Sequence, residues 1–216
     1  MMNIQLKFVD TNVDVCREFE KQFQDVPNVK VYHQRFEELD SFDCLVSPAN
    51  SFGMMDGGID AAITKFFGKQ LEERVQKHIF ENYFGEQPVG TSFVIETNHP
   101  DHPFLAHTPT MRTPQSIKGT TNVYYAMKAM LGAVLLYNQT HEDAIQRVAC
   151  PGMGTLIGKM EPEIAVAQMK VAYEHVNQPL PSMHVPSIYK RIAEMKGASQ
   201  IKLNEIETVF YLRENK

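Results

Sequence analysis

Twice in this chain a short apolar run leads into a glycine-rich loop and then into a helical pattern. The first passes from Cys44-Leu45-Val46 through Ser47-Pro48-Ala49-Asn50-Ser51-Phe52-Gly53-Met54-Met55-Asp56-Gly57-Gly58 to a helix read over Ile59 to Phe67. The second passes from Arg147-Val148-Ala149-Cys150 through Pro151-Gly152-Met153-Gly154-Thr155-Leu156-Ile157-Gly158 to a helix starting near Glu161-Pro162-Glu163. Compact apolar runs bounded by turn residues read as buried strands. Strands that alternate with helices place the chain among α/β folds, whose ligands gather at the carboxyl ends of the strands.

The rest of the chain continues the alternation. Ile4, Leu6 and Phe8 alternate with polar residues as in a strand, and Asp10-Thr11-Asn12 supplies capping chemistry for a helix over Val13 to Phe23. Strands follow at Val29 to Tyr32, Thr91 to Glu96 and Phe104 to His107, with a helix over Leu71 to Phe84 and a stop at Gly68. Val123, Ala126, Met127, Met130, Leu131, Val134 and Leu135 keep the spacing of a helix face, with the methionines as core filler. Ala165, Met169, Ala172 and Val176 form the inward seam of the helix after the second loop. The proline-containing stretch Gln178 to Pro186 reads as a connector, followed by a short helix over Ser187 to Met195 and a strand over Thr208 to Leu212. The expectation is one three-layer α/β/α domain with a central mixed sheet, its core at residues 1–177 and residues 178–216 an extension packed on the same domain.

Composition removes several classes. The formal net charge of −5 over 216 residues argues against nucleic-acid binding by bulk charge. The longest run without a polar side chain, Ala129 to Tyr137, is nine residues, too short to span a bilayer. The amino terminus lacks signal-peptide features, and Cys16, Cys44 and Cys150 are scattered, as expected in a reducing cytoplasm. His99 and His102 stand close together without an accompanying ligand set, so no metal and no cofactor are expected.

The glycine loops carry the chemistry. Glycines let a backbone approach a ligand, and their amides, backed by a helix amino terminus, suit anionic oxygens. Two such loops can hold a diphosphate without a lysine. The second loop is not a dinucleotide fingerprint, because Gly152, Gly154 and Gly158 leave one residue too many. Nor is it a P-loop, which needs glycine at Met153 and Ser or Thr at Met160. Taken singly, each loop also reads as an ordinary strand-to-helix turn.

The stretch from Pro48 to Ile63 resembles the signature loop of macrodomains, which bind ADP-ribose and in some members hydrolyse its esters or glycosides. The Ala49-Asn50 pair, Gly57-Gly58, and Ile59-Asp60 at a helix start carry the likeness, as does the ten-residue step from Asn50 to Asp60 seen in the hydrolytic branch. Phe104 to Thr108 resembles the family's strand ending in His-Thr, and Pro151 to Gly158 its second, phosphate-facing loop. The likeness covers about residues 1–177 and is nearest to a bacterial or phage-type branch. Departures are Asp56 before Gly57-Gly58 where many hydrolytic members have a glycine triplet, Thr64 where they often have histidine, and Leu156 where glycine commonly follows Thr155.

The resemblance implies a role for each candidate. Asp10 would accept from the adenine amino group and the Thr11 amide would contact the ring; both also fit a helix cap. Asn50 would lie at the distal ribose, although asparagine also commonly supports its own turn, and Ser51 beside it is a further candidate ligand-binding residue. Gly57, Gly58 and the Ile59 amide would face the diphosphate, with Gly152, Gly154, Thr155 and Leu156 covering its other side through backbone amides and Met153 and Gly158 as further ligand-binding candidates of that loop. Asn50 and Asp60 would be the catalytic pair, Asp60 orienting water at the ribose anomeric carbon; the plainer role for Asp60 is stabilising its helix dipole. Arg112, after His107, Thr108 and Thr110, is within reach of a phosphate or is simply an exposed arginine, and Cys150 reads as a buried strand residue. The expected partner is ADP-ribose or an ADP-ribosylated substrate, hydrolysed or, alternatively, only read.

Overall fold

The computed structural model describes residues 3–142, 144–180 and 184–200. Six strands form one sheet in the order β2-β1-β6-β3-β5-β4. They are β1 (Gln5–Asp10), β2 (Val29–His33), β3 (Cys44–Ser47), β4 (Phe93–Glu96), β5 (Phe104–His107) and β6 (Arg147–Cys150). All neighbours are parallel except β4, which runs antiparallel to β5 at the edge, so the sheet is mixed. The strand nearest the carboxyl terminus among them, β6, lies between β1 and β3. That insertion puts the ends of β1, β6 and β3 side by side, and with them both glycine loops.

Side-chain alternation divides the core into two layers, because successive residues of a strand face opposite sides. Leu6 and Phe8, Cys44 and Val46, and Val148 and Cys150 face a cluster built on α1 (Val13–Phe23), α4 (Asn122–Thr140) and α5 (Pro162–Asn177). Val9, Leu45, Leu105 and Ala149 face α2 (Gly58–Phe67) and α3 (Lys69–Tyr83). Phe8 stacks on Phe19 with ring centroids 4.0 Å apart, which seats α1 on the sheet.

Local signals explain the helix ends, with some departures from expectation. Asn12, rather than Asp10, caps α1, its side chain accepting from the Asp14 amide at 2.9 Å. Gly68, at φ +89°, separates α2 from α3, where a side chain on the backbone would be strained. At the start of α5 the Glu161 carboxylate serves an ion pair with Lys118 at 2.5 Å rather than a side-chain cap. The connector is shorter than its prolines suggest: α6 spans Val185–Ala198 and contains Pro186 in its first turn, where a missing N–H removes no helix bond. This helix packs on α5 through buried Met195 and a 2.8 Å contact between His175 Nε2 and Glu194 Oε2. The strand expected at Thr208 to Leu212 lies outside the described residues.

Candidate functional site

A cleft of about 600 Å³ opens at the carboxyl ends of β1, β3 and β6. The first glycine loop forms one wall, the second the other, and Asp10, Thr11 and Asn12 one end.

The first loop is held by side chains. Asn50 Oδ1 accepts from the amides of Phe52 and Met54 at 3.1 and 3.3 Å, and its Nδ2 donates to the Met54 carbonyl at 2.7 Å. Glu72 on α3 accepts from the Met55 amide at 3.0 Å, Gln76 donates to the Gly53 carbonyl at 3.1 Å, and the Thr64 hydroxyl donates to the Met55 carbonyl at 3.1 Å. The loop therefore reaches α2 in a set shape. Gly57 caps that helix, and the first-turn amides of Gly58, Ile59 and Asp60 have no carbonyl four residues back inside the helix. Gly58 takes φ +55°, and a Cβ there would stand 3.4 Å from Leu156 across the cleft. The two loops thus approach each other where Gly58 has no side chain.

The second loop is packed rather than merely flexible. Gly154 sits at φ +73°, where a Cβ would meet Ile117 at 2.7 Å. A Cβ on Gly158 would fall 2.5 Å from the Gly154 carbonyl. Backbone bonds from Met160 to Gly154 and from Ile117 to Gly158 close the turn. Leu156 stands out at 70 % exposure over the cleft.

Asp60 is the chemically distinctive group. It lies in the first turn of α2, is 7 % exposed and lines the cleft. The Ser47 hydroxyl donates to its Oδ1 at 2.6 Å. Removal from water, reinforced by the charges of Asp56 and Glu72, pushes the carboxyl up to about 7 against the pull of the Ser47 bond. Such a group exchanges protons at neutral pH, as a general base must.

The structure brings most of the expected residues together. Asp10, Thr11, Asn50, Gly57, Gly58, Ile59, Asp60, Gly152, Gly154, Thr155, Leu156 and Gly158 all line this cleft. Ser51 and Met153 do not: both are buried, Met153 within the core beneath the second loop. The Gly152 amide is already committed, donating to Asp10 Oδ2 at 3.0 Å, while Asp10 Oδ1 accepts from Asn12. Asp10 therefore ties the end of β1 to the second loop. His107, Thr108 and Thr110 are buried away from the cleft. His107 donates from Nδ1 to Gln87 Oε1 over 2.6 Å, and burial drives its basicity down to about 3, so the ring is neutral. Arg112 forms a two-pronged pair with Glu86 at 2.5 and 3.0 Å and does not line the cleft.

Sequence reasoning missed Ser47 and the segment Gln34 to Glu37, which lines the cleft beyond β2. Both sit at carboxyl ends of parallel strands, and a hydroxyl closing an otherwise apolar strand was the available signal for Ser47. Among the described lining residues Arg35 is the sole lysine or arginine, and it is paired with Glu37 at 2.6 Å. Among the described residues no three His, Cys, Asp or Glu side chains gather to hold a metal, and no helix is long and apolar enough to cross a membrane.

Fold and cleft define an α/β/α domain that presents two glycine-rich loops at the carboxyl edge of a mainly parallel sheet. The Macro domain family model matches residues 46–169, a span that contains both loops and more than half of the chain. The chain belongs to that family. It is 30% identical over 143 residues to an uncharacterised protein of Aquifex aeolicus (strain VF5), which covers 66% of this chain and 78% of that protein. Among solved structures it resembles the macrodomain of Mycobacterium tuberculosis DarG, with a TM-score of 0.52, 19% identity and coverage of 66% of this chain and 88% of the other. A glycine-to-valine variant of the Oceanobacillus iheyensis macrodomain with ADPR is similar at TM-score 0.51 and 14% identity, over 82% of this chain and 86% of the other. Thermosipho africanus DarTG in complex with ADP-ribose gives TM-score 0.51 and 12% identity, over 83% of this chain and 54% of that one.

Proposed function

We propose that the cleft binds ADP-ribose and that this chain hydrolyses an ADP-ribosyl linkage on a modified protein, nucleic acid or small molecule. Family membership and the ADP-ribose held by two structurally similar proteins support the ligand. In this reading Asp10 and Thr11 meet the adenine, the amides of Gly58 and Ile59 and those of Gly154, Thr155 and Leu156 face the diphosphate, and Asn50 and Asp60 flank the distal ribose. Diphosphate recognition by amides needs no lysine, in keeping with a lining whose arginine is already paired.

Asp60 is the observation that carries hydrolysis. Its carboxyl, raised to about 7 and open to the cleft, would orient a water toward the ribose anomeric carbon. The bond from the water oxygen to that carbon forms as the bond from the carbon to the acceptor breaks. The proton taken by Asp60 passes to the departing acceptor, which regenerates the carboxylate. Asn50 contributes by holding the loop that carries the ribose site, its oxygen accepting from Phe52 and Met54 and one N–H going to the Met54 carbonyl.

That same commitment of Asn50, together with the Thr64 hydroxyl spent on Met55, favours a second reading: a non-catalytic reader of ADP-ribose or a related NAD-derived metabolite. Release of ADP-ribose from a panel of modified proteins, nucleic acids and small acetylated forms separates the two. Wild-type turnover should be modest, and Asp60→Ala should lose about a hundred- to ten-thousandfold in rate while keeping its affinity. Tight binding with no release from any substrate favours the reader. Undiminished turnover in Asp60→Ala ends the role given to this carboxylate.

A further inference from the structure

Ser47 is the last residue of β3 and is fully buried, with 0 % exposure. Its backbone is fixed on both sides: the Ser47 carbonyl accepts from the Ala49 amide at 2.9 Å and from Thr108 at 3.0 Å. Among the described residues the hydroxyl has one partner, Asp60 Oδ1, at 2.6 Å. A strand end held by backbone bonds therefore reaches across thirteen residues of sequence to hold one oxygen of a carboxyl in the first turn of α2. The other oxygen, Oδ2, has no hydrogen-bond partner among the described residues, and the residue lines the cleft.

The surroundings make this one bond decisive. The charged groups acting on Asp60 are Asp56 from the first loop and Glu72 from α3, both acidic. Glu72 is itself engaged by the Met55 amide and by Gln76. Burial and two like charges favour the neutral acid, and the Ser47 hydroxyl is the group that favours the carboxylate. Ser47 has no place on the cleft lining, so it acts only through Asp60.

We propose that Ser47 is a positioning residue for Asp60: its hydroxyl holds Oδ1 and thereby leaves Oδ2 to the cleft. The proposal rests on the reading of Asp60 as the group that orients water. It assigns to β3 the task of setting the pH at which the site becomes competent. Hydrolysis should then have an acid limb that belongs to the Ser47–Asp60 pair rather than to the ligand.

The experiment compares wild type, Ser47→Ala and Ser47→Thr in the full chain. Carbon-13 carboxyl NMR on aspartate-labelled protein, with Asp60→Asn to assign the signal, follows the protonation of Asp60 directly. Loss of one hydrogen bond to the carboxylate should move the Asp60 midpoint up by about one to two pH units in Ser47→Ala. Ser47→Thr, which keeps a hydroxyl, should return it toward the wild-type value. The acid limb of kcat should move by the same amount, with kcat at neutral pH lower by about tenfold or more and KM changed less than about twofold. A midpoint that does not move in folded Ser47→Ala overturns the proposal, as does a KM change without a change in the pH profile. If wild type releases ADP-ribose from no substrate, the hydrolase reading fails, and the carboxyl titration alone still decides whether Ser47 holds Asp60.

Discussion

Replacing Asp60 with asparagine should stabilise this protein, and increasingly so as the solution becomes alkaline. Asparagine nearly matches the volume of aspartate and keeps an oxygen for the Ser47 hydroxyl, so the 2.6 Å bond has an acceptor in both proteins. What changes is the charge. Asp60 titrates near 7 in the folded chain against an ordinary 3.8, because burial and the neighbouring acids disfavour its anion. The folded state therefore holds the proton more tightly than the unfolded state, and stability falls as pH rises from the ordinary carboxyl value through the folded one. The full penalty for carrying the anion is about 4 kcal/mol, reached above about pH 8. At about pH 5 the folded group is still protonated and the penalty is about 2 kcal/mol, so the advantage of Asp60→Asn should grow by about 2 to 3 kcal/mol between these conditions. Urea unfolding of both proteins from about pH 5 to pH 9 measures it, since every other titrating group is common to the pair and cancels. A difference that stays flat across this range would show that Asp60 is not held in a desolvating environment, and the general-base argument would go with it.

Other consequences are open to simpler tests. ADP-ribose should bind more tightly than AMP by calorimetry, and Asn50→Ala should weaken ADP-ribose more than AMP while lowering stability by about 1 to 3 kcal/mol, because it releases the Phe52 and Met54 bonds. Gly58→Glu should abolish ligand-induced thermal stabilisation, since Gly58 lies at φ +55° beside Leu156. Asp43 offers a pH test of opposite sign. Burial alone would raise its carboxyl, but Arg147 and the amides of Gln146 and Arg147 outweigh it and hold the group below 3.8. Its stabilisation is present above that ordinary value and lost as pH falls through the folded one, so Asp43→Asn should destabilise at neutral pH and approach wild type in acid.

Much of the fold is written in local chemistry. Alternation and capping residues mark β1, α1, β3, β5, β6 and α5, because strand and helix periodicities are properties of neighbouring residues. Pro186 shows a limit of that reading, since proline signals a break in a chain but also suits the first turn of a helix. The glycine loops too are legible, because a glycine-rich turn between an apolar strand and a helix is a pattern of neighbouring residues.

What sequence alone could not decide is which side chains meet. Placement of β6 between β1 and β3 is a matter of packing, and it alone brings Asp10 to the Gly152 amide. Ser51 and Met153 stand inside the loops by sequence, yet both are buried. Asn50 looks like a free amide until the fold commits it to its own loop. The chemistry of Asp60 is the clearest case. An aspartate in a first helical turn would ordinarily be a solvated, ionised group that favours its helix dipole. Burial of α2 against β3 removes the water, sets Asp56 and Glu72 beside it and leaves Ser47 to hold one oxygen. A desolvated charge takes its energy from everything around it, and those surroundings exist only after the chain has folded.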